Sequence, residues 1–253
     1  MPLSPPLSAL DALGAQLADP GYAVLDAAGL AELAGVAPQA FAPWAQLWND
    51  LPADTCLLDG GRYRRRRHGC FVVDRAEVRP VPHRAHWQPL EYNALHGGLE
   101  RWFEPLPPSL LEDPAWAALL LALAKRATVL RSDRGPWFVE AHPFRIDTTD
   151  GIGRPTPEGA HRDGVDLVAV ILVSRVGIKG GETRVFDADG PQGVRFTLTE
   201  PWSVLLLDDA RVVHESTPIQ PLQPGGAGHR DTLVLTFRRG GFQGPAGDAP
   251  IAA

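Results

Sequence analysis

Residues 158–173 read EGAHRDGVDLVAVILV, and this stretch sets the fold and the chemistry together. His161 and Asp163 stand two apart at the mouth of an apolar, β-branched run. Side chains at i and i+2 of a strand share a face, so one imidazole and one carboxylate converge there. A third ligand is offered by His214 in LLLDDARVVHESTPI, too distant for local structure but within reach of a strand folding back. Two histidines and one carboxylate on one side of a ferrous ion leave positions open for substrate and dioxygen. Asp166 is a weaker ligand candidate because at i+5 from His161 it takes the opposite strand face.

Working outward, the pattern predicts strands at residues 165–174, 182–187, 193–199, 202–207, 211–214 and 230–238, with turns at Gly180-Gly181 and Asp189-Gly190. Upstream, WFVEAHPFRID alternates as a further strand. Before it, Asp113 as N-cap and Pro114 at the first position open a long helix through WAALLLALAKRATVL, whose apolar middle implies burial against a sheet. At the N-terminal side, Ser8 and Asp11 suggest a capping box for a helix carrying Leu10, Leu13 and Leu17, stopped by Asp19-Pro20-Gly21. A short strand at residues 22–25 follows, then two short helices divided at Pro38. Strand-rich sequence after a helical start, without regular βαβ alternation, favours a squashed antiparallel barrel or jelly roll with helices on one side: mainly β with flanking helices.

A chain of 253 residues with 44% hydrophobic and 21% charged content suits one domain with a generous core. A net charge of −6 argues against an extended nucleic-acid surface. The basic cluster Arg62, Arg64, Arg65, Arg66 and Arg67 runs into Cys70, Phe71, Val72 and Val73, and reads as a strand with a solvated face. Cys56 and Cys70 are expected as reduced thiols of a cytoplasmic protein. No Lys or Arg precedes Arg62, so no export signal is expected. The longest apolar run, 115–124, is too short to span a bilayer. Residues 79–108 are rich in Pro, His and Trp with little periodicity, and loops of that length wrap or serve a site. Tyr92, Asn93, His96, Gly97 and Gly98 are the residues there that would reach a pocket.

Arg230 and Thr232, in HRDTLVLTF, share a strand face and make a fork that can seat a distant carboxylate. With AHRD, GGETRVFD, VVHESTPI and RDT in this order, the chain resembles the iron(II)- and 2-oxoglutarate-dependent oxygenases. The stretches RYRRRRHGCFVVD, LEYNALHGGLERWFEPL and IGRPTPEGAHRDGVDLVAVIL more narrowly resemble the bacterial family that includes the isoleucine and leucine hydroxylases acting on free amino acids. The resemblance covers about residues 60–240 and implies a double-stranded β-helix (jelly-roll, cupin-like) core. It implies Fe(II) at His161, Asp163 and His214, with 2-oxoglutarate as cosubstrate reaching Arg230 and Thr232, and dioxygen as oxidant. The implied reaction hydroxylates an unactivated C–H of a free, aliphatic L-amino acid and releases succinate and carbon dioxide.

The expected organisation is an N-terminal helical extension over residues 1–55, the oxygenase core over 56–245 and a loose tail over 246–253. A free amino acid needs a cation for its carboxylate, for which Arg145 and Arg184 are candidates, and an acceptor for its ammonium, for which Glu158 and Glu140 are. His142 is expected to line the same pocket. His229 sits in a Gly-rich turn beside Arg230 and is not chosen as a ligand, while His68, His83, His86 and His96 default to surface or packing roles. Two rival readings remain: the same chemistry on a peptide, carrier-tethered or other small-metabolite substrate, or a non-catalytic metal-binding cupin-like module. The partner is a small molecule in the main reading, with neither nucleic acid nor membrane involved.

Overall fold

The computed structural model describes residues 3–245. The strands are β1 (Tyr22–Leu25), β2 (Arg64–Arg66), β3 (Gly69–Asp74), β4 (Glu77–Pro80), β5 (Trp137–Asp147), β6 (Leu167–Val176), β7 (Ile178–Gly180), β8 (Thr183–Asp187), β9 (Gly193–Phe196), β10 (Val204–Asp208), β11 (Val212–Ser216), β12 (Ile219–Pro221) and β13 (His229–Arg238). The helices are α1 (Leu13–Ala18), α2 (Ala27–Ala34), α3 (Pro108–Leu111) and α4 (Pro114–Arg131), with a 3-10 helix at Ala42–Asp50. The large sheet runs β1-β10-β6-β13-β5-β3-β4, with β2 also paired to β5. Two smaller sheets, β11-β8-β9 and β12-β7, face it. Every pairing between these strands is antiparallel, giving the double-stranded β-helix architecture.

Alternation along β5 and β13 creates the two sides of the large sheet. Val139 and Ala141 of β5 and Leu233, Leu235 and Phe237 of β13 join the core beneath the helices. Glu140, His142, Phe144 and Ile146, with Arg230, Thr232, Val234 and Thr236, point the other way and line a cavity inside the barrel. On the helical side, α4 buries Trp116, Leu119, Leu120 and Leu123, each worth on the order of 2 kcal/mol in burial. As the sequence indicates, α4 starts at its N-cap: Asp113 Oδ1 accepts the Ala115 N–H at 2.9 Å, and Asp113 Oδ2 accepts Trp44 Nε1–H at 2.8 Å.

The N-terminal segment differs from expectation. The strand expected at residues 22–25 forms, but as β1 it pairs with β10, Tyr22 opposite Leu207 and Leu25 opposite Val204, so the segment expected as an extension packed on the core supplies a strand of the sheet itself. α1 begins only at Leu13 and has no side-chain cap, because Ser8 Oγ accepts the Val24 N–H at 3.4 Å instead. The tail expected at 246–253 lies outside the described residues. Between β6 and β13 the register shifts: Asp231 lies opposite Ser174 and Thr232 opposite Leu172, leaving Val173 as an extra residue in β6.

Candidate active site

His161 and His214 are brought together by the backbone. They form an isolated antiparallel bridge, His161 N–H to His214 O at 3.1 Å and His214 N–H to His161 O at 2.9 Å. Their rings then lie 4.7 Å apart, centre to centre. Asp163 joins them because the loop that carries it is wrapped around a buried carboxylate. Asp209 accepts the N–H groups of Asp163, Gly164 and Val165 at 3.0, 2.8 and 3.0 Å. Gly164 has φ +74°, and a Cβ there would fall 2.3 Å from the Tyr92 ring, so both the turn and the close approach require glycine. Gln243 Nε2 donates to the carbonyls of Asp163 and Gly164, and Gln88 Nε2 donates to Asp163 Oδ1 at 3.2 Å.

One ligand atom from each of His161, Asp163 and His214 lies within 4.8 Å of the others. His161 Nδ1 is 2.9 Å from the Gly159 carbonyl oxygen, which can only accept, so Nδ1 carries the proton and Nε2 is turned toward the carboxylates. Nε2 is 3.5 Å from Glu158 Oε1 and 3.8 Å from Asp163 Oδ1, and His214 Nε2 is 3.9 Å from Asp163 Oδ2. These gaps are too long for strong hydrogen bonds and short enough for one cation to bridge. Electrostatics agree. Burial pulls the His161 imidazole down, but the charges of Asp163 and Glu158 outweigh it and hold it above its ordinary value. Burial holds His214 neutral, the form that ligates a metal. The donor set therefore fits a divalent ion with open coordination positions.

Arg230 lies on the same cavity wall, buried and with its pKa pulled down to about 10 by burial and by neighbouring Arg175. No carboxylate among the described residues bonds to it, and Thr232 follows on the same face. This is the pattern expected of a seat awaiting an anion.

The other sequence candidates divide. Glu158, Glu140 and His142 line the cavity, whereas Arg145 and Arg184 do not. Arg145 points to the opposite side of β5, where its guanidinium binds Asp231 at 2.8 and 2.7 Å. Arg184, 40% exposed in its side chain, bonds to Glu182 and Glu215 at 3.0 and 3.1 Å. Asn93 reaches the cavity; His96 is buried and accepts the Leu58 N–H. His229 contacts Asp231, away from the ligand cluster. Asp166, in the bend just before β6 and not on a strand as its spacing suggests, binds Arg131 and Arg239 away from the ligand cluster.

Two readings are refined. The Arg62–Arg67 strand does have a solvated side, but Arg64 and Arg66 are buried and line the cavity. His68 and His86 are buried with Glu140 and His142 in a second cluster, whose ligand atoms also lie within 4.8 Å of one another. Here short hydrogen bonds draw the group together, and only His68 Nδ1 and Glu140 Oε1 stay buried without a partner among the described residues. His86 Nδ1 is 2.6 Å from Glu140 Oε2, and Arg66 Nη2 donates to His142 Nδ1 at 2.7 Å. A guanidinium has no lone pair to offer, so His142 carries its proton on Nε2, facing Glu140. Burial pushes the Glu140 carboxyl up, but three imidazole neighbours outweigh it and hold it well below the usual carboxylate range. Burial pulls His86 down to about 3.

With this geometry in place, the chain belongs to the 2OG-Fe dioxygenase family, whose model matches residues 45–236. The enzyme is thus a 2-oxoglutarate-dependent oxygenase that uses iron(II), 2-oxoglutarate and dioxygen. It is similar to a bsmA homologue from Methylobium petroleophilum PM1, with 55% identity over 97% of each chain and a TM-score of 0.89. More distant structures share the fold: IDO from Bacillus thuringiensis at 18% identity, covering 90% of this chain and 98% of the other, TM-score 0.72. The Fe(II)/(alpha)ketoglutarate-dependent dioxygenase TqaL matches at 19% identity over 95% and 90%, TM-score 0.70. No curated protein matches the chain. No helix among the described residues is long and apolar enough to cross a membrane.

Proposed function

We propose that this oxygenase hydroxylates an unactivated C–H of a free L-amino acid with an aliphatic side chain, acting in the cytoplasm. Iron, with 2-oxoglutarate and dioxygen, supplies the oxidation of that C–H, the cosubstrate leaving as succinate and carbon dioxide. His161, Asp163 and His214 hold the iron, and Asp209, Gln88 and Gln243 hold Asp163. Arg230 and Thr232 take the far carboxylate of 2-oxoglutarate, an ion pair made strong by exclusion of water. The observation that carries the substrate class is the mixed lining of the cavity, about 140 Å³, that contains the ligand cluster. Val165, Val170, Val234, Phe138 and Phe242 offer an apolar wall for a hydrocarbon side chain, while Glu158 and Glu140 offer negative charge for an ammonium. A cavity within the barrel suits a small metabolite better than a peptide or a carrier-tethered chain.

The likeness of RYRRRRHGCFVVD and LEYNALHGGLERWFEPL to the free-amino-acid hydroxylases supports the same reading. The test is succinate formation by the purified protein with Fe(II), ascorbate and 2-oxoglutarate, adding the proteinogenic L-amino acids one at a time, with mass spectrometry of each product. Succinate that rises with an aliphatic amino acid, together with a product heavier by one oxygen, is expected. Succinate formation independent of every amino acid overturns the substrate assignment and leaves the family chemistry intact.

A further inference from the structure

We infer that Arg64, Arg66 and Arg101 form a second anion seat in the cavity, separate from Arg230, and that it binds the carboxylate of the molecule to be hydroxylated. The inference rests on the proposed function in taking that molecule to be a small acid.

Strand parity puts two of the arginines inside. On β2, Arg64 lies opposite Ile146 and Arg66 opposite Phe144, both inward residues of β5. Arg65 between them points out, where it meets Asp147 at 3.7 Å. Arg101 arrives from the long loop, fixed by reciprocal backbone hydrogen bonds with His86 at 3.0 and 2.9 Å. All three are at most 6% exposed.

Their partners separate them from the other arginines of the same segment. The outward Arg62, Arg65 and Arg67 each meet a carboxylate, of Asp150, Asp147 and Glu104. Among the inward three, only Arg64 does, bonding to Asp54 at 2.6 Å. Arg66 is stacked against Phe103 and Phe144, 3.9 and 4.4 Å from the ring centres, and bonds to an imidazole. Arg101 donates to the neutral side chain of Gln88 at 3.0 Å. Arg64 Nη2, Arg66 Nε and Arg101 Nε are buried without a hydrogen-bond partner. Concentrating guanidinium charge in a buried cavity with unspent donors is costly, and an anion entering the cavity offsets that cost. The aromatic clamp on Arg66 holds a planar fork in place, the geometry suited to a carboxylate.

The seat is distinct from the one at Arg230. Arg64 and Arg230 lie on opposite sides of Ile146 in the same row of the sheet, two strand spacings or roughly 10 Å apart along the backbone. Two anions fit side by side. Gln88 joins the new seat to the metal site, since it accepts from Arg101 and donates to Asp163. A carboxylate held at Arg101 is therefore anchored one side chain away from an iron ligand, with its carbon chain free to lie over the ion.

The test compares amino acids with their carboxamides, which keep shape and ammonium but lose the anion, on the enzyme loaded with Fe(II) and 2-oxoglutarate. Turnover is read as hydroxylated product, and binding by calorimetry. Acids are expected to exceed amides in kcat/KM by about 100-fold. In Arg101→Gln that ratio should fall below about tenfold, with partial recovery in Arg101→Lys. Amides used as well as acids, or an undiminished ratio in Arg101→Gln, overturns the seat. If no amino acid is hydroxylated, the binding arm decides between the two ideas. Simple aliphatic carboxylates that bind the wild type and not Arg101→Gln sustain the seat while the amino-acid reading fails, and carboxylates that bind neither protein overturn the seat as well.

Discussion

Two clusters of histidine and carboxylate sit in the same barrel, and they differ in where their protons are. In the first, the Gly159 carbonyl accepts a hydrogen bond from His161 Nδ1–H, and Nε2 faces Asp163 and Glu158 across gaps of 3.8 and 3.5 Å. In the second, Arg66 donates to His142 and thereby places the imidazole proton on the side of Glu140, while His86 closes on the same carboxylate at 2.6 Å. The residue types are nearly identical, but in the first group the facing atoms stand 3.5 Å or more apart, whereas two short hydrogen bonds draw the second together and leave His68 Nδ1 and Glu140 Oε1 without a partner among the described residues. Ligand lists alone do not distinguish a metal site from a hydrogen-bonded cage; the partner of the far ring nitrogen does.

The comparison can be broken by experiment. Asp163→Ala should abolish hydroxylation and weaken iron binding by more than the roughly 100-fold typical of outer partners, measured by metal analysis and turnover. Arg230→Ala should raise the KM for 2-oxoglutarate by about 100-fold, the loss of a buried charge-assisted pair, with iron content unchanged. Asp209→Asn removes a carboxylate that gathers three backbone N–H groups under Asp163 and should cost about tenfold in iron affinity. Glu140→Gln should leave one iron per chain and lower stability by about 1–3 kcal/mol in denaturant unfolding. A second metal equivalent in the wild-type protein that disappears in Glu140→Gln would make the two clusters alike after all.

Strand parity explains what was legible in the sequence. Arg230 and Thr232 are spaced by two on β13, so their shared face follows from elementary geometry; His161 and Asp163 also converge, but through an isolated bridge and the 163–165 loop ahead of β6 and not through the strand that their spacing suggests. The same rule excludes Arg145: it stands an odd number of positions from His142, and the two cannot share a face of β5. Arg184 likewise alternates with the buried Thr183 and Val185. Arg64 and Arg66 were hidden for another reason. Burial is ordinarily read from apolar side chains, and an arginine run carries the signature of a wet surface even when every second residue turns inward. Asp209 and Gln243 act on the site through backbone groups of the 163–165 loop, and contacts of that kind leave no spacing pattern to read.

The extra residue in β6 bears on the proposed cosubstrate seat. Leu172 packs toward the barrel interior and Val173 toward the helices, but Ser174 also points outward, where it donates to Asp231 Oδ2 at 2.8 Å. The in-and-out phase of the strand is thus reversed from that point on, and Arg175 is delivered to the Arg230 side, opposite which it pairs. One strand carries two phases: the first half is tuned to packing, the second to charge. In an unbulged strand of the same sequence, alternation from Leu172 would turn Ser174 inward and Arg175 outward, away from Arg230, so a single extra residue of strand decides how firmly a dianion is held.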